Sequence, residues 1–380
     1  MNPALTRCDV AIVGAGIIGS ACAEACAAGG LNTVLIDSDF PGGGITACGM
    51  GHIVVMDDSA AQWALTARSR ELWMRRAASL PDDIEYDACG TLWIAANRAE
   101  MDAVEEKVAM YRQHDVHAQI LNSAELARAE PDLISRLSGA LLVRDDAVIY
   151  PPAAAQHFAA NAATLGAVMR FGQRVQVIEP GRIYFVDGTM LDAERIVVAA
   201  GLASNDLLPN LPLRARKGHL VISDRYPGRV RHQLVELGYL HSAHASDADS
   251  VAFNVQPRRN GQILIGSSRQ FDATDTAIDA PLLAHMLERA VGFLPFLRDV
   301  QVLRSWTGLR PATRDGLPLI GPSAQHASIW LATGHEGLGI TTATATAELI
   351  AAQLLGRTCA IPPAPYWPTR FASETTHAVA

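Results

Sequence analysis

The chain of 380 residues lacks the basic blocks typical of nucleic-acid-binding proteins and the long apolar runs typical of membrane-spanning proteins. Charged residues make up 18% of it, the net charge is −8, and no block of lysine and arginine occurs. This composition argues against nucleic acid as a partner. No uninterrupted apolar run reaches the roughly 18 residues that a spanning helix needs, so we expect no transmembrane segment. The first apolar run, Val10 to Ala28, contains Glu24 and regularly spaced glycines, and we expect no cleaved leader there.

Cysteine is also scarce, and the six cysteines form no Cys-x-x-Cys pair. Cys22 and Cys26 lie four apart on a predicted helix and are interpreted as small buried side chains. We therefore predict no metal site. The absence of a disulfide pattern favours a cytoplasmic location, and association with the inner face of the membrane is left open.

The start of the chain has the pattern of a β-α-β unit. Asp9 to Val13 and Thr33 to Asp37 are short apolar runs typical of buried strands, and Gly14 to Gly29 between them is rich in alanine, as a helix would be. Parallel strands joined by a helix indicate an α/β fold. An apolar strand is also predicted at Arg195 to Ala199, and a helix is predicted to begin near Gly339.

Antiparallel patterns interrupt this α/β material. Val251 to Val255 and Gln262 to Gly266 alternate like two strands of a hairpin. A second hairpin is predicted from Val175 to Val186, closed by the turn Asp187-Gly188, and the stretch Ile84 to Ile94 is strand-like. The predicted fold is therefore α/β, or α+β overall, with a Rossmann-type domain and an inserted antiparallel-sheet domain.

A glycine fingerprint stands between the first strand and the first helix. Gly14 permits a tight turn, Gly16 lets the backbone approach a pyrophosphate, and Gly19 lets helix and strand pack closely. Unpaired N–H groups at the helix start would face the phosphates. Asp37, followed by Ser38, ends the second strand about twenty residues later, where a carboxylate can accept the ribose hydroxyls. The predicted dinucleotide-binding residues of this unit are Gly14, Ala15, Gly16, Ile17, Ile18, Gly19, Asp37 and Ser38.

Further motifs resemble the FAD-dependent family of D-amino-acid oxidase, glycine oxidase and sarcosine oxidase. The resemblance covers nearly the whole chain and includes the glycine loop Gly42–Gly51, the strand end Ala199–Gly201, the segment Trp306–Pro311, the segment Asp315–Pro322 and the segment Gly334–Ile340. No second complete glycine fingerprint for a nicotinamide cofactor follows. The resemblance therefore implies FAD as the cofactor.

The resemblance also implies where FAD binds. The glycine loop would lie along the pyrophosphate and under the flavin ring, Val175 would hold the adenine end through its backbone, and the start of the last helix would face the ring, where its N–H groups stabilise negative charge. The residues implied are Thr46, Ala47, Gly49, Gly51, Val175, Ala200, Gly201, Gly334, Gly337, Leu338, Gly339, Ile340 and Thr341. No cysteine or histidine stands at a covalent-flavin position, so non-covalent FAD is expected.

On the substrate side, amine oxidation by flavin asks the protein mainly for orientation and a carboxylate anchor. Arg310 in Gly-Leu-Arg-Pro stands where the family places its substrate-carboxylate arginine, and a guanidinium can bind a carboxylate through two parallel hydrogen bonds. The hairpin Val251–Ser268 is the predicted pocket wall. The other candidate substrate-side residues are His52, Gln256, Arg269, His335 and Glu336. Glycine-oxidase-like sequences tend to carry arginine at the position of Gly337, so the chain departs from them there.

Within this family, Gly261–Phe271 and Gly334–Thr342 look most like the catalytic β subunits of heteromeric bacterial dehydrogenases for D-hydroxyproline and for opines, with hydrogen cyanide synthase nearby. The resemblance implies a small amino or imino acid as substrate and hydride transfer to flavin N5. It implies a larger α subunit as a partner. The resemblance is also compatible with a small iron–sulfur subunit. FMN or an iron–sulfur cluster would then be held with or by partner subunits.

Three hypotheses stay open from the sequence. The chain is a dehydrogenase of cis-4-hydroxy-D-proline, an opine or a related acid, working in a complex; it is a stand-alone oxidase that makes hydrogen peroxide; or it is a flavin-carrying scaffold subunit without a substrate. The predicted FAD-binding domain comprises residues 1–80, 145–213 and 305–380, and the predicted substrate-binding domain comprises residues 81–144 and 214–304.

Overall fold

The computed structural model describes residues 6–238, 249–271 and 273–371 of the chain. The helices are α1 (Ile17–Ala28), α2 (Gly44–Ala47), α3 (Ala60–Arg76), α4 (Arg98–Gln113), α5 (Ser123–Ala129), α6 (Pro151–Thr164), α7 (Ser204–Leu207), α8 (Ala280–Phe293) and α9 (Gly339–Leu354). The strands are β1 (Arg7–Val13), β2 (Thr33–Asp37), β3 (His52–Ile53), β4 (Thr91–Ala95), β5 (Ala118–Asn122), β6 (Gly139–Val143), β7 (Ala147–Val148), β8 (Val168–Phe171), β9 (Val175–Glu179), β10 (Arg182–Phe185), β11 (Met190–Val198), β12 (Arg214–Arg225), β13 (Gln233–Glu236), β14 (Ser250–Pro257), β15 (Gln262–Phe271), β16 (Val302–Ala312), β17 (Leu319–Pro322) and β18 (Ile329–Thr333).

The first of two large sheets has a parallel core, β18-β11-β1-β2-β8, as the β-α-β unit predicts, with antiparallel strands added to it. Its main path runs β17-β18-β11-β1-β2-β8, and β10 and β9 extend it from β11. β1 pairs in parallel with β11 on one side and β2 on the other, so the fingerprint loop leaves the sheet at the carboxyl end of a central strand. Open α/β sheets bind ligands at this edge. Both faces of β1 are buried, which explains its continuous apolar run.

Alanine-rich helices cover one face of this sheet. α1 packs against α6 and α9, and its side of the core includes Ala21, Ala23 and Cys26. Small side chains let these helices approach closely, which a sequence with larger residues at these positions would prevent. Cys22 and Cys26 are fully buried, as predicted.

The second sheet is largely antiparallel, in the order β16-β12-β15-β14-β13-β4-β6-β5. Strands from distant parts of the chain meet in it, since β4 pairs in parallel with β13. Helix α8 packs on β14 and β15, and a cluster including Leu234, Phe253 and Phe293 fills that side. The predicted domain boundary at residue 305 falls inside β16, which belongs to this sheet. The division into two domains stays a prediction.

Two local predictions were wrong. β9 and β10 do form a hairpin, but Gly181, with φ +83°, lies in the turn that closes it. Asp187-Gly188 instead turns the chain from β10 into β11. The strand predicted at Ile84 to Ile94 is confined to β4, because the residues before it form a 3-10 turn and irregular backbone. Both errors come from segments with more than one residue pattern that favours a turn. These are Pro180-Gly181 beside Asp187-Gly188 in the first segment, and Asp87 and Gly90 in the second.

No helix within the described ranges is long and apolar enough to cross a membrane.

Candidate functional site

A cavity of about 520 Å³ lies where the fingerprint loop, the start of α9 and the second sheet meet. Gly16 and Thr46 line one part of it, and Arg269 and Arg310 line another. A pocket bounded by both sheets can hold a cofactor on one side and a substrate on the other.

The fingerprint glycines divide into those that shape the loop and one that faces the cavity. Gly14 has φ +107°, and a Cβ on Gly19 would lie 1.8 Å from the Gly14 carbonyl oxygen, so neither position tolerates a side chain. Gly16 has φ −63°, which other residues adopt, and a Cβ there would lie 3.1 Å from Thr46 Oγ1. Gly16 is therefore a glycine because of the space it leaves, not because of its backbone conformation.

Polar groups around the fingerprint loop hold it in shape. Thr46 Oγ1 accepts a hydrogen bond from the Ile17 N–H at 3.0 Å. Asp37 ends β2 as predicted, and its Oδ2 accepts from the Ala15 N–H at 2.6 Å. The α1 N-terminus has no side-chain cap at Gly16, which leaves backbone donors at its first turn for an anion.

The start of α9 closes another side of the cavity. A Cβ on Gly337 would meet nothing within 4 Å, and one on Gly339 would come no nearer than 3.5 Å, to His335 Cβ. Thr341 Oγ1 donates to the His52 carbonyl oxygen at 2.9 Å, which joins the helix start to β3. The open backbone at Gly337 fits a planar ring lying against the helix start.

Among the described residues four arginines line the cavity, and three of them, Arg216, Arg269 and Arg310, are named here the arginine cluster. Arg216 and Arg310 are Cα partners on neighbouring strands β12 and β16. Arg310 Nη2 donates to the Ser268 carbonyl oxygen at 2.8 Å. The Arg310 guanidinium lies over Gly218, where a Cβ would be 1.8 Å from Nη2. Arg310 can take this position only because residue 218 is a glycine.

Glu336 is the acidic neighbour of this cluster. It hydrogen-bonds to Arg216 Nη1, and its Oε1 lies 4.0 Å from Arg269 Nη2. Burial raises the pKa of Glu336, but the positive charges of Arg269, Arg216 and Arg310 outweigh it, so the pKa lies below its usual value. The positive charges of all three guanidinium groups thus act on the Glu336 carboxylate.

The two predicted histidines differ in their surroundings. His52 lines the cavity, and burial, aided by the charge of Arg310 and opposed by a hydrogen bond with the Gly337 backbone, lowers its pKa to about 4. Burial lowers the pKa of His335 to about 3. The His335 Nε2 lies 3.0 Å from Thr346 Oγ1, so the imidazole ring is turned toward α9. Both rings are neutral at pH 7.

The structure brings many of the predicted residues to the cavity, and their roles stay predictions. Those that line it are Gly16, Ile17, Ile18, Thr46, Gly49, His52, Gly201, Arg269, Arg310, His335, Glu336, Gly337, Leu338, Gly339 and Ile340. Those outside the lining are Gly14, Ala15, Gly19, Asp37, Ser38, Ala47, Gly51, Val175, Ala200, Gln256, Gly334 and Thr341. Gln256 Nε2 donates to the Met50 carbonyl oxygen, which indicates a positioning role.

The cavity residues that sequence reasoning missed include Trp93, Arg216, Gln233 and, as a site residue, Asn254. Asn254 was placed on the pocket wall by its alternation along β14. The same alternation in β12 could have found Arg216. Trp93 and Gln233 carry no such signal, because only the pairing of β4 with β13 brings them to this wall.

A fingerprint loop that opens into a large cavity is typical of dinucleotide-dependent enzymes. Comparison with known proteins makes this specific: the chain belongs to the DAO family of FAD dependent oxidoreductases, which it matches over residues 9–353. It is thus an FAD-dependent oxidoreductase. The predicted family and fold class are confirmed.

Individual relatives cover nearly the whole chain. An opine oxidase subunit from Rhizobium meliloti is 28% identical over 366 residues, covering 91% of this chain and 93% of the relative. The glycine oxidase structure from Geobacillus kaustophilus has a TM-score of 0.85 at 24% identity and covers 96% of this chain and 99% of that one. The L-proline dehydrogenase structure from P. horikoshii has a TM-score of 0.86 at 20% identity, covering 97% and 99%. These structures are similar to the chain in fold.

The cavity residues fit FAD. Gly16 leaves the approach to the α1 N-terminus open, and Gly337 leaves the start of α9 open. The backbone at Gly16 would border the pyrophosphate, and Gly49, Gly337 and Gly339 would lie beside the ring. When bound, FAD supplies the acceptor for two electrons and a hydride.

Two glycines near α9 give a matched stability test. In the FAD-free protein, Gly337→Ala is expected to leave the melting temperature nearly unchanged, because the added Cβ meets nothing and φ is not positive. Gly334 has φ +80° and a Cβ there would lie 3.0 Å from Leu213 Cδ2, so Gly334→Ala should destabilise by about 1 kcal/mol or more. Thermal denaturation of both variants checks this, and equal melting temperatures would contradict it.

His335 is expected to make folding stability depend on pH. Its pKa is about 3 when folded and returns to its ordinary value of 6.5 when unfolded, so the unfolded chain binds the proton more readily between these values. The free energy of unfolding should fall as pH drops below 6.5 and continue to fall toward 3. Urea denaturation of wild type and His335→Gln at about pH 7 and pH 5 checks this. A pH slope that is the same in both proteins would refute the assignment to His335.

Proposed function

We propose that the chain is the catalytic subunit of a heteromeric dehydrogenase that oxidises the C–N bond of a D-amino or imino acid, with cis-4-hydroxy-D-proline or an opine as the best candidates. The observation that carries this proposal is the position of Arg310. It belongs to the arginine cluster and borders the same cavity as the fingerprint loop.

The substrate carboxylate binds to Arg310, which offers two parallel N–H donors. Ser268 holds that guanidinium through its carbonyl oxygen, and Glu336 holds the neighbouring arginines. Anchoring one end of the substrate restricts the orientation of its Cα–H relative to the ring. With the amine nitrogen neutral, its lone pair forms the C=N double bond as the hydride leaves this carbon, and bound FAD would accept that hydride.

His52 contributes as a neutral group. Since its pKa is about 4, the ring is neutral at pH 7 and can accept a hydrogen bond without a change in charge, whereas accepting a proton would make it a cation. Because His52 is neutral, it adds no positive charge beside Arg310 that would repel the substrate amine. His52 is therefore the candidate for proton handling during the reaction.

The proposed complex rests on resemblance. The Rhizobium meliloti relative described above is one subunit of an opine oxidase. Within the described residues no group of three or more His, Cys, Asp and Glu side chains is placed to hold a metal ion. An electron relay such as an iron–sulfur cluster, and an FMN if one is used, would thus be held with or by partner subunits, a larger α subunit among them.

Oxygen use separates the dehydrogenase from the stand-alone oxidase. We expect the purified, FAD-loaded chain to reduce an artificial dye with its substrate while consuming little oxygen. An oxygen electrode and a dye-reduction assay on the same preparation test this. Stoichiometric oxygen consumption with hydrogen peroxide formation would refute the dehydrogenase and favour the oxidase.

A further inference from the structure

The cavity wall opposite the fingerprint loop carries polar side chains on one face of the second sheet. Trp93 and Val235 are Cα partners on β4 and β13, and Val235 and Asn254 are partners on β13 and β14. Gln233 lies two residues before Val235 and so shares its face. Leu234 points to the other face, into the cluster beneath α8. The face of the second sheet that borders the cavity thus carries polar side chains, whereas the face beneath α8 is apolar.

Three of these residues, Trp93, Gln233 and Asn254, are named here the distal polar group. They border the cavity and are only 4%, 3% and 9% exposed. Each has a buried polar atom with no hydrogen-bond partner within the described part of the chain, namely Trp93 Nε1, Gln233 Oε1 and Asn254 Oδ1. A buried polar group without a partner is costly, so its retention calls for an explanation.

Gln256, on the same wall, has a hydrogen-bond partner for its amide nitrogen, although its Oε1 is also buried without one among the residues that the structure describes. It lies two residues after Asn254 on the same face, and its amide nitrogen donates to the Met50 carbonyl oxygen. Gln256 is thereby fixed to the loop after α2. Within the described residues, the members of the distal polar group lack an equivalent contact for the atoms named above.

The chemistry of the group selects a class of ligand. The indole N–H only donates, whereas each amide can both donate and accept, and a half-turn of the amide exchanges its two ends. None of the three carries a charge. A substrate carboxylate has a better partner in the arginine cluster, so the distal polar group suits a neutral substituent that accepts one hydrogen bond and donates another. A hydroxyl group does both.

We propose that Trp93, Gln233 and Asn254 form a subsite that binds a hydroxyl group on the substrate, at the end of the molecule away from its carboxylate. This inference rests on the proposed function for the carboxylate end. It assigns specificity for a hydroxylated acid to residues of β4, β13 and β14, and none to the fingerprint loop.

A pair of non-oxidisable probes tests the subsite in the FAD-loaded protein. Cyclopentanecarboxylate and cis-3-hydroxycyclopentanecarboxylate differ by one hydroxyl, and their binding can be followed by the change in flavin absorbance. Wild type is expected to bind the hydroxylated probe about tenfold more tightly. Asn254→Leu and Gln233→Leu should each reduce this preference to less than about threefold, with little change for the unsubstituted probe.

Control variants separate recognition from folding. Trp93→Phe keeps the ring packing and removes only the N–H, so a reduced preference with normal FAD content supports the subsite even if a leucine variant fails to fold. Gln62→Leu changes an amide on α3 at another wall of the cavity and should keep the preference. Equal binding of both probes by wild type overturns the inference, as does a preference that survives in the Asn254, Gln233 and Trp93 variants.

The probes cannot be oxidised, so the outcome is independent of turnover. A hydroxyl preference that depends on these residues, in a protein whose flavin no amino or imino acid reduces, would uphold the subsite and refute the proposed function. Turnover of amino acids by a protein that shows no preference for the hydroxylated probe would uphold the proposed function and refute the subsite. Tighter binding of cis-cyclopentane-1,3-dicarboxylate than of the hydroxylated probe would assign the group to a charged substituent and overturn the inference.

Discussion

Gly16→Val protein is expected to fold and to purify without FAD. The backbone at Gly16 has φ −63° and ψ 178°, which valine adopts readily. The new Cβ would lie 3.1 Å from Thr46 Oγ1, and the two methyl groups would occupy the approach to the α1 N-terminus. The pyrophosphate would lose its closest backbone contacts, so bound flavin should fall from near stoichiometric to a few per cent. Absorbance of the purified protein near 450 nm, with circular dichroism to confirm folding, measures this.

A matched variant tests whether the effect belongs to the site. Gly292 on α8 is exposed, and a Cβ there meets nothing within 4 Å. Gly292→Val should retain its FAD. Normal flavin content in the Gly16→Val protein would contradict the placement of the pyrophosphate at this loop.

Arg310→Ala protein is expected to keep FAD and to lose most of its affinity for carboxylates. Removing one member of a buried charged pair costs about 2–5 kcal/mol, which corresponds to roughly 30-fold or more in Kd. Titration with cyclopentanecarboxylate, followed by flavin absorbance, measures the loss directly. Arg310→Lys keeps the charge but lacks the planar pair of donors, so its Kd should lie between those of wild type and the alanine variant.

Arg304 provides the control for this experiment, since it lies on the same strand β16 but is exposed and does not line the cavity. Arg304→Ala should bind the carboxylate like wild type. Wild-type affinity in the Arg310→Ala protein would show that Arg216 or Arg269 is the anchor, or that the carboxylate binds elsewhere.

The parts of this protein that the sequence predicts well are those in which local chemistry decides. β1, α1 and β2 form as expected because the fingerprint glycines, the apolar strands and Asp37 lie within a short stretch, and each has a local geometric reason. Arg310 was likewise found through the motif around it. The start of α9 at Gly339 followed from the same kind of local pattern.

What depends on contacts between distant segments could not be predicted. Nothing in the sequence near Trp93 indicates that β4 pairs with β13, so Trp93 and Gln233 were missed. Arg216 joins Arg310 only because β12 and β16 lie side by side. The wrong turn at Asp187-Gly188 has a local cause, since Pro180-Gly181 offers a competing turn signal in the same hairpin.

The central claim is that this chain itself accepts electrons from an amino or imino acid into its own FAD. An anaerobic absorbance titration of the FAD-loaded chain with D-amino acids, hydroxyprolines, glycine, sarcosine and opines tests it most directly. We predict rapid loss of the flavin absorbance with one class of these substrates, with hydroxylated D-imino acids or opines foremost. Undiminished flavin absorbance with every compound, with FAD plainly bound, would contradict the claim and favour a chain that only carries the flavin.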